Sequence, residues 1–263
     1  MTNDSDTLVV TVTRKNLDIA QQTIPYLKER TDRPFHYAVV ANEDLESGEW
    51  LMDNRNKGWF DSVAVVSENL GVGPGYNLFW RHFHRFNREF KYYVKMDDSN
   101  TPTRADWLTE LIRLADYFKG RIGMAAYLIE GNDKEFPVQT IEGWRVRPTP
   151  TNCSGTCCLI PRWVWEQVGF WDEEVIGWTG QEREVGPIYY SREDGIMGRL
   201  CGIMNLQNMY HEDLTAIRCL REKHAAPYTQ WKERQYAMSL PPQNAMTNEY
   251  KLHKRTLPHR PPI

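Results

Sequence analysis

A mostly parallel, Rossmann-type α/β sheet flanked by helices is the fold the sequence predicts, and three observations predict it. Short β-branched runs (Thr7 to Thr13, Phe35 to Ala41, Asp61 to Val66) alternate with stretches of helical spacing, the pattern that gives a parallel sheet with right-handed crossovers. Polar clusters stand at the carboxyl ends of these runs, where open α/β sheets place their ligands. A chain of 263 residues, 41% hydrophobic and 25% charged, can bury the core such a sheet needs.

Taken in order, the Thr-Leu-Val-Val-Thr-Val-Thr run is a buried strand ending at Thr13. Arg14-Lys15-Asn16 follows, with Asn16 placed to cap a helix over 17–30 that Pro25 either kinks or divides. The second strand ends in Asn42-Glu43-Asp44. After the third comes Glu68-Asn69-Leu70-Gly71-Val72-Gly73-Pro74-Gly75-Tyr76-Asn77, leading into an aromatic, basic helix from Leu78 to about Phe90. Three glycines in five residues mean positive φ or close backbone approach at a helix start. The segment matches neither the dinucleotide fingerprint nor a Walker loop.

The segment Lys91 to Pro102 is the centre of the chain's chemistry. Tyr92, Tyr93, Val94 and Met96 have strand composition, and Asn100-Thr101-Pro102 is turn chemistry that stops the strand. Between them stand Asp97, Asp98 and Ser99. Adjacent carboxylates repel unless a cation shares them, and hard oxygens suit Mg²⁺ or Mn²⁺, which would in turn hold a diphosphate. The plainer alternative has both aspartates capping the helix that begins near Thr103.

Residues 105–118 then form an amphipathic helix with Trp107, Leu108, Leu111, Ile112, Leu114 and Ala115 inward, and 122–129 form a strand. Residues 132–150 read as an insertion or hairpin. A strand over 154–160 leads to a helix with Pro161 at its first position, closed by Gly169 to Glu173. Residues 178–187 read as a mobile loop, and a helix starts at Ser191 to Gly195 and runs to about Cys201. His211 follows a short strand over 204–210, and beyond Pro227 the chain reads as an extended arm.

Composition narrows the function classes. No apolar run approaches the roughly 18 residues needed to span a bilayer, and the polar N-terminus is no signal peptide, so residence in the cytoplasm is expected. Five cysteines agree with a reducing compartment, and Cys153, Cys157 and Cys158 lack zinc-site spacing. The net charge of −3 hides an asymmetry: residues 221–263 carry eight Lys and Arg against three Glu, a net +5, leaving −8 for the rest. A basic arm on an acidic body suits a polyanionic partner or a solvated face.

The ordered set of Thr13-Arg14, Asn69-x-Gly71-x-Gly73-x-x-x-Asn77, Asp97-Asp98-Ser99, Gly169-Phe170-Trp171-Asp172-Glu173, Glu193-Asp194 and His211 resembles the family 2 glycosyltransferases over roughly residues 7–215. The resemblance implies the GT-A nucleotide-sugar fold, with a donor half at about 1–100, an acceptor half at about 101–220 and a separate extension at 221–263. It implies that Thr13, Arg14 and one of Glu43 or Asp44 hold base and ribose, with Asn69, Gly73 and Asn77 packed under the nucleotide. Asp97 and Ser99 match the first and third positions of the family's Asp-x-Asp element, with Asp98 between. Ser99 stands where the direct metal ligand is usual, which either removes metal dependence or hands the role to Asp98. His211 resembles the histidine that completes metal coordination in some members. Asp194, with Glu193 beside it, matches the catalytic base of inverting members, and Trp171, Asp172 and Trp178 fall on the acceptor side.

The resemblance thus implies transfer from a nucleotide-diphosphate sugar, a UDP-sugar first, to a hydroxyl acceptor, assisted by one Mn²⁺ or Mg²⁺. The acceptor could be DNA or another polyanion, or a glycan or lipid precursor. Two other classes compete. A nucleotidyltransferase would want a glycine-rich loop after the first strand, and Thr13 to Asn16 contains none. A non-catalytic sugar- or nucleic-acid-binding module would need no Glu-Asp pair.

Overall fold

The structure, a computed structural model, describes residues 5–86, 88–130, 136–149, 153, 157–169, 171 and 193–219, without the side chains of 193–196 and 199. Asp172, Trp178 and the arm 221–263 lie outside the described residues.

Strand β1 (Thr7–Thr13) is followed by α1 (Leu17–Arg30), β2 (His36–Asn42), α2 (Leu45–Asn54) and β3 (Ser62–Val66). Next come α3 (Val72–Arg85), β4 (Tyr92–Asp97), β5 (Asn100–Pro102), α4 (Trp107–Tyr117) and β6 (Ile122–Ile129). The hairpin β7 (Gln139–Ile141) and β8 (Trp144–Thr149) precedes β9 (Cys157–Pro161), α5 (Arg162–Val168), α6 (Glu193–Ile203) and β10 (Gln207–Arg218). One sheet runs through all ten strands in the order β3-β2-β1-β4-β9-β6-β10-β8-β7, with β5 paired to β10.

Strands β3, β2, β1 and β4 are mutually parallel, and β6 is parallel to β10. Strand β9 lies antiparallel between β4 and β6. This is the expected α/β class, a mostly parallel sheet with helices on both faces.

Because successive side chains on a strand point to opposite faces, each central strand feeds two cores. Val9 of β1 joins α1, α2 and α4 on one face, while Leu8 and Val10 join α3, α5 and α6 on the other. All three are fully buried, so each contributes roughly 1.5–3 kcal/mol of apolar burial.

Several local expectations change. Helix α1 runs unbroken through Pro25, held by buried Ile24 and Leu27. Asn16 occupies the capping position without capping the helix by its side chain. Asn100 to Pro102 pairs with Arg218 to Ala216 instead of serving only as a turn. Helix α4 begins at Trp107 with Asp106 at its cap position, so neither Asp97 nor Asp98 caps it. Pro161 closes β9 and stands just before α5. The strand expected over 204–210 is a twelve-residue strand that carries His211 inside it. The segment 132–150 contains a hairpin, and α2, unassigned in the sequence reading, follows β2 directly.

Helix α3 starts at Val72 and ends at Arg85 instead of running from Leu78 to about Phe90, so Gly73 and Gly75 lie inside it, and two glycines of the segment have separate geometric reasons. Gly71 sits at the α3 cap position with φ 85°, a conformation that favours glycine. At Gly75 an added Cβ would stand 3.1 Å from both γ-methyls of Val12, so its lack of a side chain lets α3 lie close on β1.

Candidate active site

The carboxyl ends of β1, β2 and β4 converge on one edge of the sheet, where Val12 pairs with both Val40 and Asp97. Two loops are knitted together there. Arg14 is ion-paired with Glu43, and the Lys15 amide donates to Asp44 Oδ2 at 2.5 Å. Asp44 also accepts from the Ser47 amide at 3.1 Å and so caps α2. With Asp44 5% exposed and spent on two amides, Glu43 is the acid of the pair still open to the edge, its side chain 29% exposed. The Arg14 guanidinium holds the Glu43 carboxyl below its ordinary range.

Asn69 is a loop tie: its Oδ1 accepts from Asn42 Nδ2 and from the Gly71 amide, both at 3.0 Å. Asn42 returns the contact by accepting from the Leu70 amide at 2.9 Å. Gly73 is buried in the first turn of α3. Asn77, fully buried, donates to the Trp171 carbonyl at 2.8 Å and accepts from the Trp171 amide at 3.0 Å. Asn77 therefore fixes the backbone of Trp171, and Trp171, 1% exposed, is a wall of the site and not an open stacking platform.

The two aspartates do not sit side by side. Asp97 belongs to the α3 face, where its Oδ1 meets the Tyr76 hydroxyl at 3.3 Å and Lys95 Nζ at 3.5 Å. Asp98 belongs to the α1 face, where Asn16 Nδ2 donates to its Oδ2 at 3.3 Å and the Thr23 hydroxyl donates to its carbonyl at 2.6 Å. Burial drives the Asp98 carboxyl up to about 7, with Asp97 and Asp44 adding to the rise and Thr13 and Asn16 opposing it. The buried Thr13 hydroxyl forms no hydrogen bond of regular geometry, yet lies close enough to Asp98 to favour its charged form. The alternation of faces at the end of β4, where Asp97 is the last strand residue and Asp98 the first of the turn, separates the pair.

His211 is not brought to either aspartate. It pairs with Tyr127 and Val146, its Nε2 is 3.9 Å from Glu110, its Nδ1 accepts from the Asp213 amide at 3.2 Å, and its ring meets Trp144 edge-on. Three strand steps, about 14 Å at the usual spacing, separate β10 from β4. Burial lowers the basicity of the imidazole. At the aspartates' own edge the chain partner is instead Cys219, whose amide donates to the Ser99 carbonyl at 2.7 Å.

Lys95 is the residue that sequence reasoning missed. It is 2% exposed in the middle of β4, with Nζ 5.0 Å from the Tyr76 ring and 5.8 Å from the Trp171 ring. The signal was present: a charge between Val94 and Met96 in a run of strand composition.

Helix α6 carries Glu193 and Asp194 in its first turn. Met197, Leu200 and Cys201 bury it on the α3 face, and a short turn over 204–206 joins its end to β10. It thus runs against β10, and its first turn points to the carboxyl edge on the same face as Asp97.

No group of three or more His, Cys, Asp or Glu that could hold a metal stands among the described residues. One partly exposed carboxylate does fit an ion carried chiefly by a diphosphate and water, since Mg²⁺-type sites often use one or two carboxylates plus substrate phosphates. Asp97, its side chain 31% exposed and anchored through Oδ1, leaves Oδ2 for that purpose.

No protein-family model and no curated protein sequence matches the chain. Solved structures do. The chain is similar to the mannosyltransferase PcManGT from Pyrobaculum calidifontis in complex with GDP-Man and Mn²⁺, at 14% identity and a TM-score of 0.66, covering 88% of this chain and 60% of that one. It is similar to GalNAc-T7 with UDP, GalNAc and Mn²⁺, at 12% identity and a TM-score of 0.57, covering 82% and 44%. It is also similar to S. aureus TarS 1-349 in complex with UDP, at 13% identity and a TM-score of 0.55, covering 93% and 76%. The chain spans 60% of the mannosyltransferase's length. Its sheet order, its flanking helices and these likenesses together give it the GT-A fold of the nucleotide-sugar glycosyltransferases.

Proposed function

We propose that the protein is a glycosyltransferase that moves a sugar from a nucleotide-diphosphate donor, a UDP-sugar, to a hydroxyl acceptor with inversion. The observation that carries the reading is a juxtaposition: Asp97 and the first turn of α6, with Glu193 and Asp194, share one face and one edge of the sheet. The likeness to proteins solved with GDP-Man and Mn²⁺, with UDP, GalNAc and Mn²⁺, or with UDP supports it. In this reading residues 1–100 form the donor half, with Thr13, Arg14 and Glu43 at base and ribose, and 101–220 form the acceptor half, including Trp171, Asp172 and Trp178.

Asp194 takes the proton of the acceptor hydroxyl as its oxygen attacks C1 of the sugar. The C1–O bond to the diphosphate breaks, and the nucleoside diphosphate leaves with the bonding pair. Attack from the face opposite the leaving group inverts the anomeric centre. A bound Mn²⁺ or Mg²⁺ supplies charge neutralisation at the diphosphate. Asp97 would hold the ion there through the carboxylate oxygen that Lys95 and Tyr76 leave open. Asp98, Asn16 and Thr13 shape the floor toward the ribose.

The basic segment 221–263 recruits the acceptor, a polyanion such as DNA, in preference to a neutral glycan or lipid precursor. An odd number of cysteines, five, in a chain too long to need a disulfide framework fits work in the cytoplasm. No helix among the described residues is long and apolar enough to cross a membrane.

The test is a thermal-shift panel of UDP, GDP, other nucleoside diphosphates and the corresponding triphosphates, each with and without Mn²⁺ and Mg²⁺. UDP raises the melting temperature, and the ion enlarges the shift. A panel in which no nucleoside diphosphate moves the transition overturns the donor site. Stabilisation by a triphosphate alone would move the protein to the nucleotidyltransferases.

A further inference from the structure

Burying an ammonium in a central strand is costly unless charge and polarisable faces surround it. Lys95 has both. Its Nζ lies 3.5 Å from Asp97 Oδ1 and over the rings of Tyr76 and Trp171, at 5.0 and 5.8 Å. The enclosure is itself fixed, because the Tyr76 hydroxyl donates to the Met96 carbonyl at 2.9 Å and Asn77 holds the backbone of Trp171. Side chains that only pack on this strand are apolar or aromatic, as at Tyr93, Val94 and Met96.

We propose that Lys95 is a charge-compensating positioning residue, which fixes Asp97 through Oδ1, turns Oδ2 to the cleft, and keeps the empty site from holding a divalent ion by itself. The inference rests on the donor-site reading above. Lys95 Nζ lies 3.5 Å from Oδ1, so a dication on Oδ2 of the same carboxylate meets a like charge roughly 6 Å away. That repulsion alone is worth about ten-fold in affinity even with water-like screening. The negative charges of a nucleoside diphosphate restore the attraction, so ion and nucleotide load as a pair.

The experiment titrates Mn²⁺ into the full-length protein without nucleotide, following free Mn²⁺ by electron paramagnetic resonance, and repeats the titration with UDP. Lys95→Met binds Mn²⁺ alone at least about ten-fold more tightly than the parent, and the gain disappears in Lys95→Met/Asp97→Asn. With UDP present, the parent's Mn²⁺ affinity rises more than the variant's. Should Lys95→Met lose its cooperative melting transition, Lys95→Gln, which keeps a polar head, gives the same gain. Equal Mn²⁺ affinity in parent and folded variant, or tighter binding by the parent, overturns the proposal. A parent that binds UDP but shows no effect of Lys95 loses this inference alone, whereas a parent that binds no UDP under any condition loses the donor site.

Discussion

Asp97 and Asp98 are consecutive in the chain, but they belong to two different regions of the molecule. Asp97 lies on the α3 side of the sheet, is anchored by Lys95 and Tyr76 through Oδ1, and keeps its side chain 31% exposed. Asp98 faces α1, is 9% exposed, and has a carboxyl held near neutrality by burial. On the first face a carboxylate stays partly open to solvent beside a cation; on the second burial suppresses the charge. Identical side chains one residue apart thus acquire different chemistry from the alternation of faces at the strand end and from which helix covers each face.

The largest expected effect tests the α6 side of that contrast. Asp194→Asn removes the proton acceptor and keeps the shape, so transfer falls about 10²–10⁴-fold while donor affinity is nearly unchanged. Near-normal turnover would move the base to Glu193 or Asp172. Asp97→Asn comes next: it abolishes the enhancement of UDP binding by Mn²⁺ and lowers turnover roughly 10²-fold. If Asp98→Asn rather than Asp97→Asn abolishes that enhancement, the two faces have the opposite roles.

Asn77→Ala breaks the wall behind Asp97. Two hydrogen bonds to the buried Trp171 backbone are lost, at a cost of about 2–3 kcal/mol, or roughly 5–10 °C in Tm by calorimetry. An unchanged Tm would show that Trp171 is held by other contacts.

Asp98→Asn gives a smaller effect of the opposite sign. Its folded-state carboxyl lies near 7, raised from an ordinary 3.8, so the folded chain keeps this proton to higher pH. The resulting stabilisation is complete below 3.8 and is lost as pH rises through 7. Replacing the carboxylate by an amide therefore raises Tm by about 2–6 °C at pH 8 and by less at pH 4. A pH-independent difference would mean that Asp98 is not a suppressed charge.

The smallest effect lies away from the site. His36, 4% exposed beside Phe83 and Phe90, has its basicity lowered to about 4, first by burial and then by Arg88. A depressed histidine contributes stability above 6.5 that is lost as pH falls through 4. His36→Gln flattens that acid-side slope in thermal denaturation and leaves UDP binding unchanged. A UDP affinity that moves with it would tie the amino-terminal edge of the sheet to the site.

Much of this arrangement was legible in the sequence because it depends on neighbours along the chain. The β-branched run of β1, the inward stripe of α4 and the glycine-rich start of α3 follow from periods of 2.0 and 3.6 residues and from backbone sterics. The order of acidic strand ends and helix starts pointed to the carboxyl edge and to the GT-A fold before any contact was known. What the tertiary structure alone decided is which of these residues meet. Asn77 is spent on Trp171 across 94 residues, Asn16 turns from its helix to Asp98 across 82, and His211 stays among Glu110 and Trp144. Lys95 becomes an asset only because β4 lies beneath Tyr76 and Trp171. Local pattern sets where a side chain leaves the backbone; its charge state and partners are set by the burial and dielectric that distant segments bring to it.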